Sequence, residues 1–316
     1  RADEMKTRQL SHGGLKMPFY YKIFGDKPKN GRSMYISMHG GGGAPRAVNN
    51  QQWENQKRLY RLEEGVYVAP RAPTDSWNLW HQGHIDRLFG RLIENMIVFE
   101  DVDPNRVYLM GYSAGGDGAY QLAPRMADRW AAAAMMAGHP GDTSPLGLRN
   151  VAFTIHAGER DAAYNRNNIA RAWQRTLADL QKADPNGYVH WVKVYPGKGH
   201  WLDGEDSAAI PWMAKHQRNP RPSRIVWKQD DVAHARFYWL AVEPNNAGPR
   251  AEVTANCIGQ KIDIRASGVK RLTIRLSDQL LNLDEPIIIT SDEKPLFNGH
   301  VTRTIAVLEK TLAEHG

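Results

Sequence analysis

The sequence predicts an α/β protein: a mostly parallel sheet covered by helices on both faces, followed by a small antiparallel β-sandwich-like domain. Three observations carry this. Up to about residue 220, short β-rich runs alternate with longer helical stretches. Several of those runs are continuously apolar, as strands buried on both faces must be. After Asn219-Pro-Arg-Pro222 the pattern changes to strict alternation, as in Lys261-Ile-Asp-Ile-Arg265 and Arg271-Leu-Thr-Ile-Arg-Leu276, which suits antiparallel strands with one wet face. The domains are therefore expected at 1–220 and 221–316.

The expected strands of the first domain are Phe19 to Phe24, Met34 to Met38, Val66 to Ala69, Val107 to Tyr112, Ala132 to Ala137, Val151 to Ala157 and Val189 to Tyr195. Helices are expected near Asn50 to Glu64, His84 to Asp101, Ala114 to Ala127, Asn165 to Ala183 and Ser207 to Lys215. The second has Ile85, Leu88, Phe89, Leu92, Ile93 and Met96 at helical spacing, which core packing explains without any function. Ile305 to Glu314 reads as a terminal helix.

Bulk properties narrow the function. The chain has 316 residues and a formal net charge of +7. Residues 221–316 hold 13 Lys and Arg against 12 Asp and Glu, and residues 1–220 hold 28 against 22, with no basic run of five or more. Cation clusters of the kind that bind nucleic acid are missing, so no nucleic-acid partner is expected. Cys257 is the one cysteine. It excludes an intrachain disulfide, no Cys/His set has zinc spacing, and a buried inert thiol is expected. No apolar stretch approaches the roughly 20 residues of a membrane-spanning helix. The chain begins at Arg1, which is compatible with a secreted or periplasmic protein whose signal peptide has been removed.

Val107-Tyr-Leu-Met-Gly-Tyr-Ser113-Ala-Gly-Gly116 places a G-x-S-x-G motif between an apolar strand and a helix. A serine at a sharp strand-to-helix turn projects its hydroxyl from a strained backbone, so the positions two before and two after it need minimal side chains. Gly111 and Gly115 supply them. The N–H of Ala114, at the helix start, is a candidate oxyanion donor. Upstream, Met34 to Met38 runs into His39-Gly-Gly-Gly-Gly43. A second oxyanion donor is expected there, from Gly41 first and Gly42 second.

A serine hydroxyl needs a neutral imidazole to take its proton and a carboxylate to orient that imidazole. Gly158-Glu-Arg-Asp161 follows one strand and Pro196-Gly-Lys-Gly-His200 the next, which makes Asp161 the leading acid and His200 the base. Asp142 and Glu159 are rival acids; His139 and His156 are worse placed as bases. Trp77, Trp80 and Trp201 fall in loops expected to border the cleft, where flat rings would suit an aryl or sugar ester. Packing within the domain explains them equally well.

With these motifs in their order, the chain resembles the esterase branch of the α/β-hydrolases, near polyhydroxybutyrate depolymerase, feruloyl esterase and acetylxylan esterase-like enzymes. The resemblance spans residues 15 to 215. It implies the α/β-hydrolase fold, a two-step hydrolysis through an acyl-enzyme on Ser113, a small-molecule or glycan-linked ester as partner, and no metal or other cofactor. Serine in the elbow argues against the dienelactone hydrolases, which generally carry cysteine there. A prolyl-oligopeptidase-like peptidase and a non-catalytic carbohydrate-binding protein are the alternatives. The C-terminal domain is expected to brace the first or to bind glycan.

Overall fold

The computed structural model describes residues 1–243 and 245–315, and the chain divides into two compact units, 1–220 and 221–316. The first unit holds, in chain order, α1 (Ala2–Thr7), β1 (Gln9–His12), β2 (Leu15–Phe24), β3 (Arg32–Met38), α2 (Arg46–Leu59), β4 (Gly65–Pro70), α3 (Gly83–Glu100), β5 (Val102–Tyr112), α4 (Ala114–Arg125), β6 (Ala132–Met136), β7 (Ala152–Gly158), α5 (Arg166–Ala183), β8 (His190–Tyr195) and α6 (Ala209–Met213). Its eight strands form one sheet in the order β1-β2-β4-β3-β5-β6-β7-β8. β1 pairs antiparallel with β2 and β2 antiparallel with β4, while every pairing from β4 to β8 is parallel. All residues of β4, β6 and β7 are buried, so the continuous apolar runs mark the middle of the sheet.

Because β3, β5, β7 and β8 run the same way, the loops leaving Met38, Tyr112, Gly158 and Tyr195 emerge at one edge of the sheet. Reacting groups on four separate loops can therefore meet there. The apolar stripe of α3 lies buried as its spacing predicts.

Differences from the sequence reading have local causes. α2 starts and ends four or five residues earlier than expected: Pro45 precedes it, and Tyr60 is already extended, with its hydroxyl donating to the buried carboxylate of Asp206. The segment expected as one helix over 207–215 is a short 3-10 turn, Glu205–Ala208, followed by α6, whose first turn accommodates Pro211. α1 and β1 escaped the sequence reading, being short and polar.

In the second unit, β9 (Arg224–Lys228), β10 (Arg236–Phe237), β11 (Leu240–Ala241), β12 (Ala247–Ile258), β13 (Lys261–Val269), β14 (Thr273–Ile274), β15 (Ile287–Ser291) and β16 (Lys294–Gly299) precede α7 (Ile305–His315). Five of the strands form a sheet ordered β16-β15-β13-β12-β9, and β10-β11-β14 form a second. The larger sheet is antiparallel except for β13 with β15, which pair parallel because the chain visits β14 in the other sheet between them. Ile262 and Ile264 of β13 are buried while Lys261 and Arg265 are exposed. Cys257 is buried in β12.

Candidate active site

Ser113 stands between β5 and α4 at φ 57° and ψ −120°, a conformation that costs free energy for any residue with a Cβ. Steric demand at the turn is backbone against backbone. A Cβ on Gly111 would come within 2.0 Å of the Gly115 carbonyl oxygen, and one on Gly115 within 2.1 Å of the Met38 oxygen. Met136 O accepts the Ser113 N–H at 2.9 Å, and Ser113 O accepts the Asp117 N–H at 2.9 Å, so sheet and helix grip the turn from both sides.

Three loops bring side chains into one line. The Ser113 hydroxyl lies 3.0 Å from His200 Nε2, and His200 Nδ1 lies 2.8 Å from Asp161 Oδ2. Asp161 is 3% exposed and can only accept once ionised, so the ring carries its proton on Nδ1 and turns the Nε2 lone pair to the serine. Arg166 Nη1 sits 3.6 Å from the other Asp161 oxygen, with its guanidinium over the Tyr164 ring at 4.8 Å. Glu159 instead accepts the Gly197 N–H at 2.8 Å. His139 Nδ1 accepts the Gly141 N–H at 2.9 Å. His156 is buried between Thr154 and the Tyr195 hydroxyl, and burial pushes its pKa down to about 3.

Tyr112, the residue just before the serine, clamps the His200 loop. Its hydroxyl donates to the His200 carbonyl at 2.6 Å and accepts the Leu202 N–H at 3.0 Å. The turn that aims Ser113 thus also holds the backbone on either side of Trp201.

The loop after β3 is built by side chains from elsewhere. His39 is fully buried, and burial lowers its pKa to about 4. Its Nε2 accepts the Ala72 N–H at 3.1 Å, which leaves Nδ1–H to donate to the Gly40 carbonyl at 2.6 Å. In a trans peptide the carbonyl and the following N–H point opposite ways, so the Gly41 N–H faces away from the His39 ring. Gly41, at φ 100°, lines the cavity in front of Ser113. Gly42 does not line it, and its N–H donates to Asn49 Oδ1 at 2.8 Å. That corrects the expectation of Gly42 as an oxyanion donor: its hydrogen is committed to holding the loop. Ala114 opens α4, so its N–H has no carbonyl one turn back within the helix to accept it.

The cavity, about 540 Å³, is bounded by Gly40, Gly41 and Ser113, by one face of α2, and by Tyr112, His200 and Trp201. Of the three tryptophans expected at the cleft, Trp201 lines it and is 52% exposed. Trp80 is a correction. It is wholly buried, and its indole N–H donates to the His39 carbonyl at 2.9 Å, so it supports the loop from beneath. Trp77 also lies outside the lining; it is 71% exposed and meets His81 edge-on. Sequence reading missed Tyr112, His39, Asn49 and Arg166. For Asn49 a signal was available, since six of the eight residues from Asn49 to Gln56 are Asn or Gln on a single helix. Among the described residues, no group of three or more His, Cys, Asp and Glu is arranged to hold a metal ion, and no helix is long and apolar enough to cross a membrane.

Comparison with known proteins agrees with this architecture. Residues 68–219 match the Dienelactone hydrolase family, a segment that contains Ser113, Asp161 and His200. The match runs against the expectation that a serine elbow separates the chain from that family. A thermostable esterase structure superposes with a TM-score of 0.51 at 19% identity, covering 66% of this chain and 62% of that one. A ferulic acid esterase gives 0.44 at 15% identity over 66% of this chain and 96% of that one. Acetyl xylan esterase from Aspergillus awamori gives 0.43 at 12% over 62% and 93%. The present chain thus spans less than two thirds of the length of the first of these. No curated protein matches in sequence. The fold so defined is that of the α/β-hydrolases. The family match covers the central segment of the chain, somewhat less than half of its length.

Proposed function

We propose that the protein hydrolyses carboxylic esters through a Ser113-His200-Asp161 triad and an acyl-enzyme on Ser113. The observation that carries this reading is His200, hydrogen-bonded through one ring nitrogen to a buried carboxylate and through the other to a serine on a strained turn. Ser113 Oγ attacks the acyl carbon as its proton passes to His200 Nε2, and Asp161 stabilises the imidazolium without taking the proton. The N–H groups of Gly41 and Ala114 receive the oxyanion. Collapse breaks the bond to the alkoxide, which leaves as alcohol with the His200 proton. Water then attacks the acyl group and gives its proton to His200. The second collapse releases the acid and returns that proton to Ser113.

All of these groups belong to residues 1–220, which we assign as the catalytic unit, with 221–316 as an accessory unit. A short p-nitrophenyl ester tests the reading. Wild-type protein should release p-nitrophenol, and Ser113→Ala should lower kcat by about 10⁴-fold or more. Full activity in that variant, or refusal of a fluorophosphonate probe by the folded wild-type chain, would exclude it.

A further inference from the structure

Helix α2 presents Val48, Gln52, Asn55, Gln56 and Leu59 to the cavity, a single stripe by helical spacing. Three of the five are carboxamides. Their neighbours use them unequally. Gln56 Nε2 donates to Ser37 Oγ at 2.7 Å, which fixes that side chain at the cavity floor. Asn55 Oδ1 accepts from Gln51 at 3.0 Å, and its NH₂ group makes no hydrogen bond among the described residues. Gln52 makes no side-chain hydrogen bond among the described residues, although its Oε1 lies 3.5 Å from where a Cβ on Gly40 would stand, beside Ser113. Among the described residues, no Asp, Glu, Lys or Arg lines this space. The exposed Trp201 ring also lines the cavity, tilted against Tyr112 at a centroid distance of 5.6 Å.

Uncharged donors and acceptors in a row, in one cavity with an indole surface, select for a neutral ligand with many hydroxyl groups and an apolar ring face. A charged group would find no counterion here, and a plain hydrocarbon would strand the amides unpaired. His200 must hand its proton to the departing alkoxide, so the part of the substrate beside His200 and Trp201 is the alcohol. We propose that Gln52 and Asn55 are specificity-determining residues that hydrogen-bond the hydroxyls of a sugar-like leaving alcohol, with Trp201 as the platform for its ring. The proposal rests on the ester-hydrolase reading above and adds to it which residues read the alcohol and how.

The test compares two primary acetates with rings of similar size, 6-O-acetylglucose and cyclohexylmethyl acetate, which differ in the hydroxyls. Wild-type protein should favour the sugar ester in kcat/KM by about tenfold or more, since one well-made hydrogen bond approaches that factor. In Gln52→Leu and in Asn55→Leu that preference should fall several-fold, and in the double variant it should approach unity. The conservative Asn55→Gln should keep part of it. Thermal unfolding and fluorophosphonate labelling of each variant report folding and the state of the Ser113 centre independently. A wild-type protein that cleaves both acetates equally, or variants whose preference is unchanged, overturns the assignment while leaving the esterase reading intact. Absence of cleavage of either acetate and of p-nitrophenyl acetate would sink both.

Discussion

Two turns flank the Ser113 hydroxyl, and they are made in opposite ways. The Gly111–Gly115 elbow is enforced by its own backbone: the atoms that forbid a side chain at Gly111 belong to Gly115, four residues along. The Gly40–Gly43 loop has no such internal constraint, since glycines alone leave it free. It is shaped by Asn49, whose Oδ1 accepts the Gly42 N–H and whose NH₂ group donates to Ala44 O and Asp75 Oδ1, both at 3.0 Å, and by His39 on the Gly40 carbonyl. Arg71 in turn pairs with Asp75. Steric exclusion fixes the Ser113 turn, and a hydrogen-bond network fixes the Gly40–Gly43 loop. The first should fail abruptly under substitution and the second by degrees.

Gly111→Ala attacks the elbow and carries the largest expected effect. The neighbouring oxygen at 2.0 Å is backbone and cannot swing aside, so the chain must distort, at a cost above about 3 kcal/mol, the upper end of ordinary overpacking. Chemical denaturation should show that loss, and fluorophosphonate labelling should disappear with it. A variant of wild-type stability would mean that the turn is not sterically forced. Asn49→Ala attacks the other loop and should be milder. It removes three hydrogen bonds from a fully buried position, so a stability loss of about 2 kcal/mol is expected. With the Gly41 donor misaimed, kcat should fall about 10²-fold and KM should move less. If stability falls while kcat holds, the loop owes its aim to His39 rather than to Asn49.

The same contrast explains what the sequence disclosed. The sheet, its order of loops and the serine turn were legible because their signals are local: apolar runs of strand length, and glycines at fixed offsets from Ser113. His200 and Asp161 could be placed because each follows a recognisable strand at the same sheet edge. Gly42 was misjudged because nothing in His39-Gly-Gly-Gly-Gly43 says which N–H a distant Asn49 will claim. Trp80 was misplaced for a related reason: a loop tryptophan looks the same in sequence whether its ring faces solvent or, as here, supports a carbonyl from below. α2 held a readable oddity, its run of carboxamides, yet composition could not separate Asn49 and Gln56, which brace the fold, from Gln52, which faces the cavity.

Asp117 offers the most selective test of the elbow, because it occupies the first turn of α4 and its N–H donates to the Ser113 carbonyl. Its carboxylate accepts the His139 N–H at 2.6 Å, and Arg166 and His200 favour the charged form, yet burial outweighs them and raises its pKa to about 6. The folded state therefore binds this proton more tightly than the unfolded chain does. Asp117 contributes stability that is fully present below the unfolded value near 4 and lost as pH rises through 6. Asparagine keeps an oxygen for the His139 N–H but has nothing to ionise. Relative to wild type, Asp117→Asn should gain stability as pH is raised from 4 to 7, by at most about 3 kcal/mol, since burial at this site is incomplete and solvent relaxes part of the cost. Urea unfolding of both proteins across that range measures the difference directly. Parallel curves for the two would show that the carboxylate is already charged throughout, and that the turn beneath Ser113 is more solvated than its steric closure suggests.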